Sequence, residues 1–162
     1  MAQRRQRQKS EYGLQLAEKK KIRDEYGLRE KQFRAYFKKG KDSGVIFQLL
    51  ESRLDNAVFR AGLTITRPAA RQMVSHGHIL VNNRKVTIPS YHLRQGDTFS
   101  VREQSRARGT YEDYDLRMKK FEAPGWMTLD KRKMESKIVE NPNLKEEPQP
   151  FNFQSVIEFY NR

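Results

Sequence analysis

The sequence contains no cysteine. Disulfide scaffolds, zinc sites with Cys ligands and thiol catalysis are therefore excluded. No apolar run approaches the roughly 18 residues that a membrane-spanning helix needs. The first ten residues are basic and rich in Gln, without the apolar centre of a secretory signal or the Ser-rich amphipathic pattern of a mitochondrial presequence.

Large apolar residues are scarce for a folded chain of this length. Leu, Ile, Val and Phe together make up 36 of the 162 residues, just above the roughly 20% below which high charge indicates disorder. We therefore expect a thin core, and we expect a polyanionic partner that binds only the folded form to stabilise it.

Acidic residues are too few to balance the basic ones. The chain has 33 Lys and Arg against 20 Asp and Glu, a formal net charge of +13. Residues 1–41 carry +9, residues 42–110 carry +5 and residues 111–162 carry −1. A positive field concentrated in the first two thirds is typical of nucleic-acid binding. Solvated basic helix faces and an anionic membrane surface are the alternatives, and no basic helix here has the broad apolar face that the membrane would need.

The two ends of the chain predict helices around a shared apolar core. Residues 1–9 have almost nothing to bury and predict a basic arm, disordered until it meets a partner. Ser10 is a suitable N-cap for a first helix, which Gly27 ends, and two shorter helices follow before residue 51. We expect the C-terminal helix to pack on this helical unit through Phe153, Val156, Ile157 and Tyr160, spaced i, i+3, i+4 and i+7.

The middle of the chain predicts two short helices joined by a tight link. The first has an apolar face from Leu54 to Ala61, and the second begins with Thr66 as its N-cap and Pro68 in its first turn. Their opposite faces are polar, and they carry Arg53, Asn56, Arg60, Arg67, Arg71 and Ser75.

Short strands follow these helices. Residues 78–81 and 85–88 predict a hairpin, because Asn82 and Asn83 in the link tolerate a positive φ. Residues 104–125 are charged and only weakly periodic. The pattern indicates an α+β fold in which a helix pair packs on an antiparallel sheet. Further strands are predicted at 98–101 and, as edge strands, at 126–129 and 137–139.

Several motifs resemble a known family. ESRLDNAVFR at 51–60 and TRPAARQMVSHGHILVN at 66–82 resemble the S-four RNA-binding domain. The resemblance extends over nearly the whole chain, so the chain as a whole is similar to the bacterial-type small-subunit ribosomal protein S four family. Members usually begin with a further segment, often a Cys-rich zinc knuckle, so we expect a short form without a zinc site. The outlying motifs are YGLQL at 12–16, EKKKIR at 18–23, IPSY at 88–91 and VIEFY at 156–160.

The resemblance implies a domain organisation and a function. Behind the arm at 1–9, residues 10–50 plus 151–162 would form a helical domain. Residues 51–150 would form an inserted RNA-binding domain with its core at 51–103. The implied function is a structural component of the small ribosomal subunit. It would be a primary rRNA-binding protein that nucleates assembly of the subunit body and contributes to translational accuracy.

The resemblance also implies partners and a location. The partners are small-subunit rRNA, neighbouring ribosomal proteins including S five, and mRNA where it enters the subunit; no membrane and no cofactor are expected. The location is the cytoplasmic ribosome, with an organellar ribosome as the alternative. A free-standing RNA-binding, ribosome-associated factor is the alternative function, although such factors lack the helical unit and the VIEFY motif. An RNA-modifying enzyme with the same module is not expected, because the flanking segments show no phosphate loop, activated nucleophile or carboxylate pair.

Arginines in the middle of the chain are the leading candidates for RNA contacts. The guanidinium fork matches phosphate oxygens, and Arg67 and Arg71 stand near a helix start. For Arg53, an ion pair with Asp55 or Glu51 is the alternative. A His-x-His pair at 76–78 is too small a set for a metal site, so RNA or turn contacts are expected there. The candidate RNA-binding residues are Arg4, Arg5, Arg7, Lys9, Lys19, Lys20, Lys21, Arg23, Arg53, Asn56, Arg60, Arg67, Arg71, Gln72, His76, His78, Asn82, Arg84 and Lys85.

Overall fold

The computed structural model describes residues 7–107 and 111–162. Arg4 and Arg5, two candidate RNA-binding residues, lie outside these ranges. Within the ranges the chain forms eight helices and one five-stranded antiparallel sheet, which confirms the predicted α+β class. No helix in the described ranges combines the length and the apolar character needed to cross a bilayer.

Five helices come first, three strands follow, and two short helices separate these from the last two strands. The helices are α1 (Glu11–Glu25), α2 (Glu30–Lys39), α3 (Ser43–Glu51), α4 (Leu54–Arg60), α5 (Arg67–Ser75), α6 (Glu103–Arg106), α7 (Tyr114–Met118) and α8 (Phe153–Tyr160). The strands are β1 (Ile79–Val81), β2 (Arg84–Lys85), β3 (Thr98–Val101), β4 (Met127–Asp130) and β5 (Glu135–Ile138).

Side-chain caps set the starts of three helices. The Ser10 hydroxyl accepts from the Gly13 amide at 3.2 Å, and Thr66 accepts from the Ala69 amide at 3.2 Å, as predicted. Asp42 caps α3 by accepting from the Val45 amide at 3.0 Å, and α3 starts at Ser43. Each cap satisfies an amide that has no partner inside its helix.

The sheet has the strand order β2-β1-β3-β5-β4. The prediction that residues 137–139 form an edge strand was wrong, because β5 pairs with β3 on one side and β4 on the other. Its Ser136 lies opposite Phe99 and Leu129. The predicted strand at 85–88 is reduced to β2, and two helices, α6 and α7, overlap the weakly periodic segment. Polar residues in β5 weaken its apolar pattern, so its central place depends on pairing that the local sequence does not show.

Buried apolar side chains form two clusters. One lies between α4, α5 and the sheet, and it includes Leu54, Val74 and Phe99. The other joins α1, α2 and α3 to α8, where the rings of Phe47 and Phe153 are 6.1 Å apart. This grouping supports the division that the resemblance implied, which we keep as a proposal: a helical domain at 10–50 plus 151–162, and an inserted domain at 51–150.

Candidate nucleic-acid interface

Glu51, at the end of α3, is completely buried and holds one of the candidate arginines. Its carboxylate accepts two hydrogen bonds from Arg60, at 3.0 Å from Nε and 2.9 Å from Nη2. It also accepts from Tyr26 Oη at 2.6 Å and from Asn56 Nδ2 at 2.7 Å. A buried carboxylate needs such partners, because an unpaired charge there is strongly destabilising. The Arg60 guanidinium is therefore engaged mainly by the Glu51 carboxylate.

Arg53 is paired inside the protein, at 2% exposure. Its Nε and Nη2 donate to the two carboxylate oxygens of Asp55 at 3.1 and 2.9 Å, and its Nη1 donates to Tyr36 Oη at 2.9 Å. Asn56 is equally buried, between Glu51 and Arg67. The ion pair with Asp55, one of the alternatives for Arg53, is the arrangement found. We therefore remove Arg53 and Asn56 from the candidate RNA surface.

The two leading candidates reach back to the helical domain. Arg67 is 9% exposed; its Nε donates to Asn56 Oδ1 at 3.0 Å and its Nη1 donates to Glu25 at 2.8 Å. The Arg67 guanidinium also lies over the ring of Phe59, 4.5 Å from the centroid. Arg71 Nη2 donates to the carbonyl of Gly27 at 2.6 Å. Arg67 is thus not the free phosphate ligand that we expected, because the start of α5 faces the turn after α1.

These contacts form one network between α1–α3 and the segment that follows α3, which we call the interdomain network because it joins the two proposed domains. Burial raises the pKa of Tyr26 well above its ordinary value, and the neighbouring Glu51 charge adds to the increase. His92 lies near Tyr36, and burial together with the charges of Arg53 and Lys39 lowers its pKa. The interdomain network comprises Glu25, Tyr26, Tyr36, Glu51, Arg53, Asp55, Asn56, Arg60, Arg67, Arg71 and His92.

The residues that sequence reasoning missed are the network's acceptors and rings. Tyr26 and Tyr36 are not among the candidate residues, and Glu51 and Asp55 enter the sequence analysis only as alternative partners of Arg53. The signal that could have found them is the alternation of Glu51, Arg53 and Asp55 in the sequence. Carboxylates this close to arginines favour pairing within the protein.

The basic face of α1 is also partly neutralised. Lys19 and Arg23 both donate to Glu30, at 2.9 and 3.1 Å. Burial opposes ionisation of Glu30, but hydrogen bonds from Lys19, Tyr160 and Arg23 outweigh it and lower the pKa of the carboxyl. Lys21 donates to the Pro150 carbonyl. Among the α1 candidates, only Lys20 is exposed without a side-chain partner in the described parts of the chain.

A second group of candidates remains on the surface. Asn82 and Asn83 adopt φ values of 50° and 64°, which build the predicted tight turn between β1 and β2. The Lys85 stem passes directly over Gly77, where a Cβ would collide with Lys85 Cε. This contact seats the turn on the end of α5. We call the surface so formed the exposed strip, and it consists of Gln72, Ser75, His76, Arg84 and Lys85.

The neighbours of the exposed strip are more constrained. Asn82 is tied to the next turn, since its Nδ2 donates to Asp97 at 3.1 Å and its Oδ1 accepts from the Thr98 amide at 3.0 Å. His78 is half-buried with Nδ1 2.6 Å from Ser105 Oγ. By contrast, Arg84 and Lys85 have no side-chain partner among residues 7–107 and 111–162. In the arm, Arg7 and Lys9 are exposed as well.

The histidine pair does not extend into a metal site within the described residues. The rings of His76 and His78 lie 6.3 Å apart. The described ranges contain no group of three or more His, Cys, Asp or Glu side chains placed to hold a metal ion. The side chains of the exposed strip are hydrogen-bond donors and cations, which suit the oxygen atoms of a polyanion.

A helix pair on an antiparallel sheet, with a basic hairpin seated on the second helix, defines a protein of the S4-domain class. Residues 52–99 match the family model described as the S4 domain. Residues 1–56 match the model described as the ribosomal protein S4/S9 N-terminal domain. The two matches meet where the interdomain network joins α3 to α4.

Individual relatives identify the family more narrowly. The small ribosomal subunit protein uS4 of Herpetosiphon aurantiacus is 44% identical, with 98% of this chain and 78% of the relative covered. The protein of the same name from Brevibacillus brevis is 46% identical, with 96% and 80% covered. That of Thermus thermophilus is 44% identical, with 99% and 79% covered. The chain belongs to the uS4 family of small ribosomal subunit proteins, which confirms the predicted resemblance.

Proposed function

We propose that the chain is a structural component of the small ribosomal subunit and binds rRNA through the exposed strip. The observation that carries this proposal is the contrast in pairing. Arg84 and Lys85 have no internal partner in the described ranges, whereas Arg53 and Arg60 are neutralised by buried carboxylates. Cations without internal partners are the ones free to replace counterions on RNA phosphates.

The shape of the exposed strip suits an RNA helix. Duplex RNA is recognised mostly through its phosphates and 2′-hydroxyls. Arg84 and Lys85 supply cations, while Gln72 and Ser75 supply neutral donors and acceptors of the kind that a 2′-hydroxyl needs. The tight turn places the two cations next to each other on β2, and the Lys85 stem packs over Gly77, so less backbone ordering is needed on binding.

The finer assignments rest on family membership. They are primary binding of rRNA, nucleation of the assembly of the subunit body and a contribution to translational accuracy. Neighbouring ribosomal proteins, S five among them, and mRNA where it enters the subunit are the proposed further partners, on a cytoplasmic ribosome. Exposed cations on α2 extend the basic surface toward such partners, and they are Lys31, Arg34, Lys38 and Lys39.

We propose a structural role without catalysis. The most buried carboxylates, Glu51 and Asp55, are held in ion pairs with arginines. A catalytic pair needs its groups within reach of a reacting atom. Turnover of uridine in an rRNA substrate by the purified chain would contradict this assignment.

The direct test is binding to a small-subunit rRNA fragment across a salt series, with an unrelated structured RNA as the control. We expect tight binding that survives moderate salt with the rRNA alone. Non-specific neutralisation of the backbone would instead give steep and equal salt dependence with both RNAs. Sedimentation separates the remaining alternative, since a free-standing factor should leave the small subunits at high salt and a structural component should stay.

A further inference from the structure

A cavity of about 350 Å³ opens between the turn after α1 and the polar face of α5. It is therefore lined by both domains. Gln72, Ser75 and His76 form its outer rim, and none of them has a side-chain hydrogen bond within the described ranges. The residues that matter for its chemistry are Gly27, Arg67, Arg71, Gln72, Ser75 and His76.

Arg71 retains donors that the protein does not use. Its only hydrogen bond in the described parts of the chain runs from Nη2 to the carbonyl of Gly27. Its Nε lies 3.6 Å from Asp55, at the distance of an ion pair. A guanidinium carries five N–H donors, so several remain for a ligand. Arg67, which also lines the cavity, has a buried Nη2 with no hydrogen-bond partner among the described residues.

The charges of the interdomain network do not cancel. Its ion pairs contain four guanidinium groups, from Arg53, Arg60, Arg67 and Arg71, but three carboxylates, from Glu25, Glu51 and Asp55. Asp55 is shared by two arginines, and both of its carboxylate oxygens already accept from Arg53. The uncompensated positive charge therefore falls on Arg71, the most exposed of the four at 38%.

We propose that this cavity binds one phosphodiester group of the RNA backbone, between the two domains. The phosphate would accept from the unused Arg71 donors and from the Gln72 amide, the Ser75 hydroxyl and the His76 ring. Its negative charge can pair with the Arg71 guanidinium, whose only hydrogen bond among the described residues goes to a backbone carbonyl. This proposal rests on the proposed function, because it takes RNA as the source of the phosphate.

The position of the cavity gives the phosphate a second effect. Gly27 belongs to the helical domain and Gln72 to the inserted domain, so a phosphate held by this cavity contacts both. A ligand that binds only the docked arrangement stabilises it. RNA binding then fixes the relative orientation of the two domains.

The test uses the full chain and inorganic phosphate at constant ionic strength, with chloride as the control anion. We expect saturable NMR shifts at the amides of Gly27, Gln72 and Ser75 with phosphate alone. Ser75→Glu places a carboxylate on the rim, and Ser75→Gln places a neutral side chain of the same size there. Because Ser75 is exposed, both variants should fold. Ser75→Glu should lose the phosphate shifts and weaken rRNA binding about tenfold relative to Ser75→Gln.

A matched charge control is available on β4. Thr128→Glu changes the net charge as Ser75→Glu does, but Thr128 is exposed on an outer strand of the sheet and does not line the cavity. Its rRNA affinity should stay within about twofold of the parent chain. Equal weakening by Thr128→Glu would overturn the site, since it would show a general charge effect.

Competition identifies the source of the phosphate. Adding the rRNA fragment should displace inorganic phosphate from the cavity. Phosphate that stays bound in the rRNA complex would overturn the backbone assignment. Tight rRNA binding with no difference between Ser75→Glu and Ser75→Gln would overturn the phosphate site in the cavity but leave the proposed function intact. Phosphate shifts at the cavity without specific rRNA binding would overturn both the backbone assignment and the proposed function, and would leave only an anion site.

Discussion

The interdomain network and the exposed strip use the same kinds of side chain for opposite purposes. Arg53 in the network is buried and bonded to Asp55 and Tyr36. Arg84 in the strip is exposed and unpaired within the described ranges. The difference lies in the neighbours. Arg53 stands two residues from carboxylates on both sides, whereas the hairpin that carries Arg84 has none closer than Asp97.

A basic residue that lies close to an acidic one in the sequence is therefore a weak candidate for a nucleic-acid contact. Charge-assisted bonds inside the protein satisfy its donors before a ligand arrives. Removal of one partner from a buried pair leaves the other charge unpaired, so such arginines act mainly on stability. Unpaired surface arginines act mainly on binding.

The largest expected effect is a difference in the free energy of unfolding between variants of Arg53 and Arg84. Arg53→Met should lower the free energy of unfolding by about 3–5 kcal/mol, because Asp55 would lose its buried partner. Arg84→Met should change the same quantity by less than about 0.5 kcal/mol. Denaturant titration of both variants, followed by circular dichroism, measures the two values. Equal stability losses would contradict the distinction between network and strip.

For rRNA affinity the ranking should be reversed, so that changes in the exposed strip have the larger effect. Arg84→Gln combined with Lys85→Gln should weaken rRNA binding by about 2 kcal/mol, roughly thirtyfold, if both side chains contact phosphates. The slope of log affinity against log salt should become shallower by about 1 to 2. Fluorescence anisotropy with labelled rRNA gives both quantities. The matched control is Lys137→Gln on β5, an exposed lysine that is not part of the strip.

The seating of the hairpin on α5 can be tested with two glycines. Gly77 and Gly96 have φ values of 78° and 92°, so alanine at either site should cost about 1–2 kcal/mol of stability. A Cβ at Gly77 would strike Lys85, whereas a Cβ at Gly96 meets nothing within 4 Å. The two variants should lose similar stability, because the flexible end of Lys85 can move aside, but Gly77→Ala alone should displace Lys85 and lower rRNA affinity. Indistinguishable rRNA affinities of the two variants would show that the Lys85 contact does not organise the strip.

The smallest expected effect concerns pH. The pKa of His92 is lowered in the folded protein, so the unfolded chain takes up a proton at a higher pH than the folded chain does. Folding stability should accordingly fall as the pH drops below about 6.5, the ordinary pKa of histidine. Burial is the main cause of the lowered pKa of His92; the charges of Arg53 and Lys39 add to it, and the charge of Asp55 opposes it.

Two glutamine variants isolate that titration. His92→Gln should flatten the dependence of the unfolding free energy on pH between about 5 and 7. His76→Gln is the control, because His76 is exposed on the strip and outside the interdomain network. A parallel pH profile for His92→Gln and the parent chain would rule out this role for His92.

The local parts of the fold could be predicted from the sequence. Ser10 and Thr66 predict where their helices begin, because a cap depends on residues only three positions away. Asn82 and Asn83 predict their turn for a similar reason, since few residues other than Gly accept a positive φ. The resemblance to the S-four family also rests on short motifs whose residues are close together in the sequence.

The parts that failed depend on distant partners. The central place of β5 requires pairing of Ser136 with Phe99, and the position of Arg67 requires Glu25, which stands 42 residues away in sequence. For Arg53 the sequence left an ion pair and an RNA contact open, and burial favoured the ion pair. Helical spacing correctly groups arginines on one face, but it does not say whether a protein or a ligand covers that face.

The helical domain is closed by a helix made long after its first three. Residues 52–152 separate α3 from α8, yet Phe153 and Val156 complete the core that Ile22, Phe33 and Phe47 begin. During synthesis, the first helices leave the ribosome with this core open, and the whole inserted domain follows before α8 can close it. The inserted domain should therefore reach its fold first, and the joint between the domains should be among the last contacts to form. A purified chain cut after residue 152 should show a folded inserted domain beside an unfinished helical one.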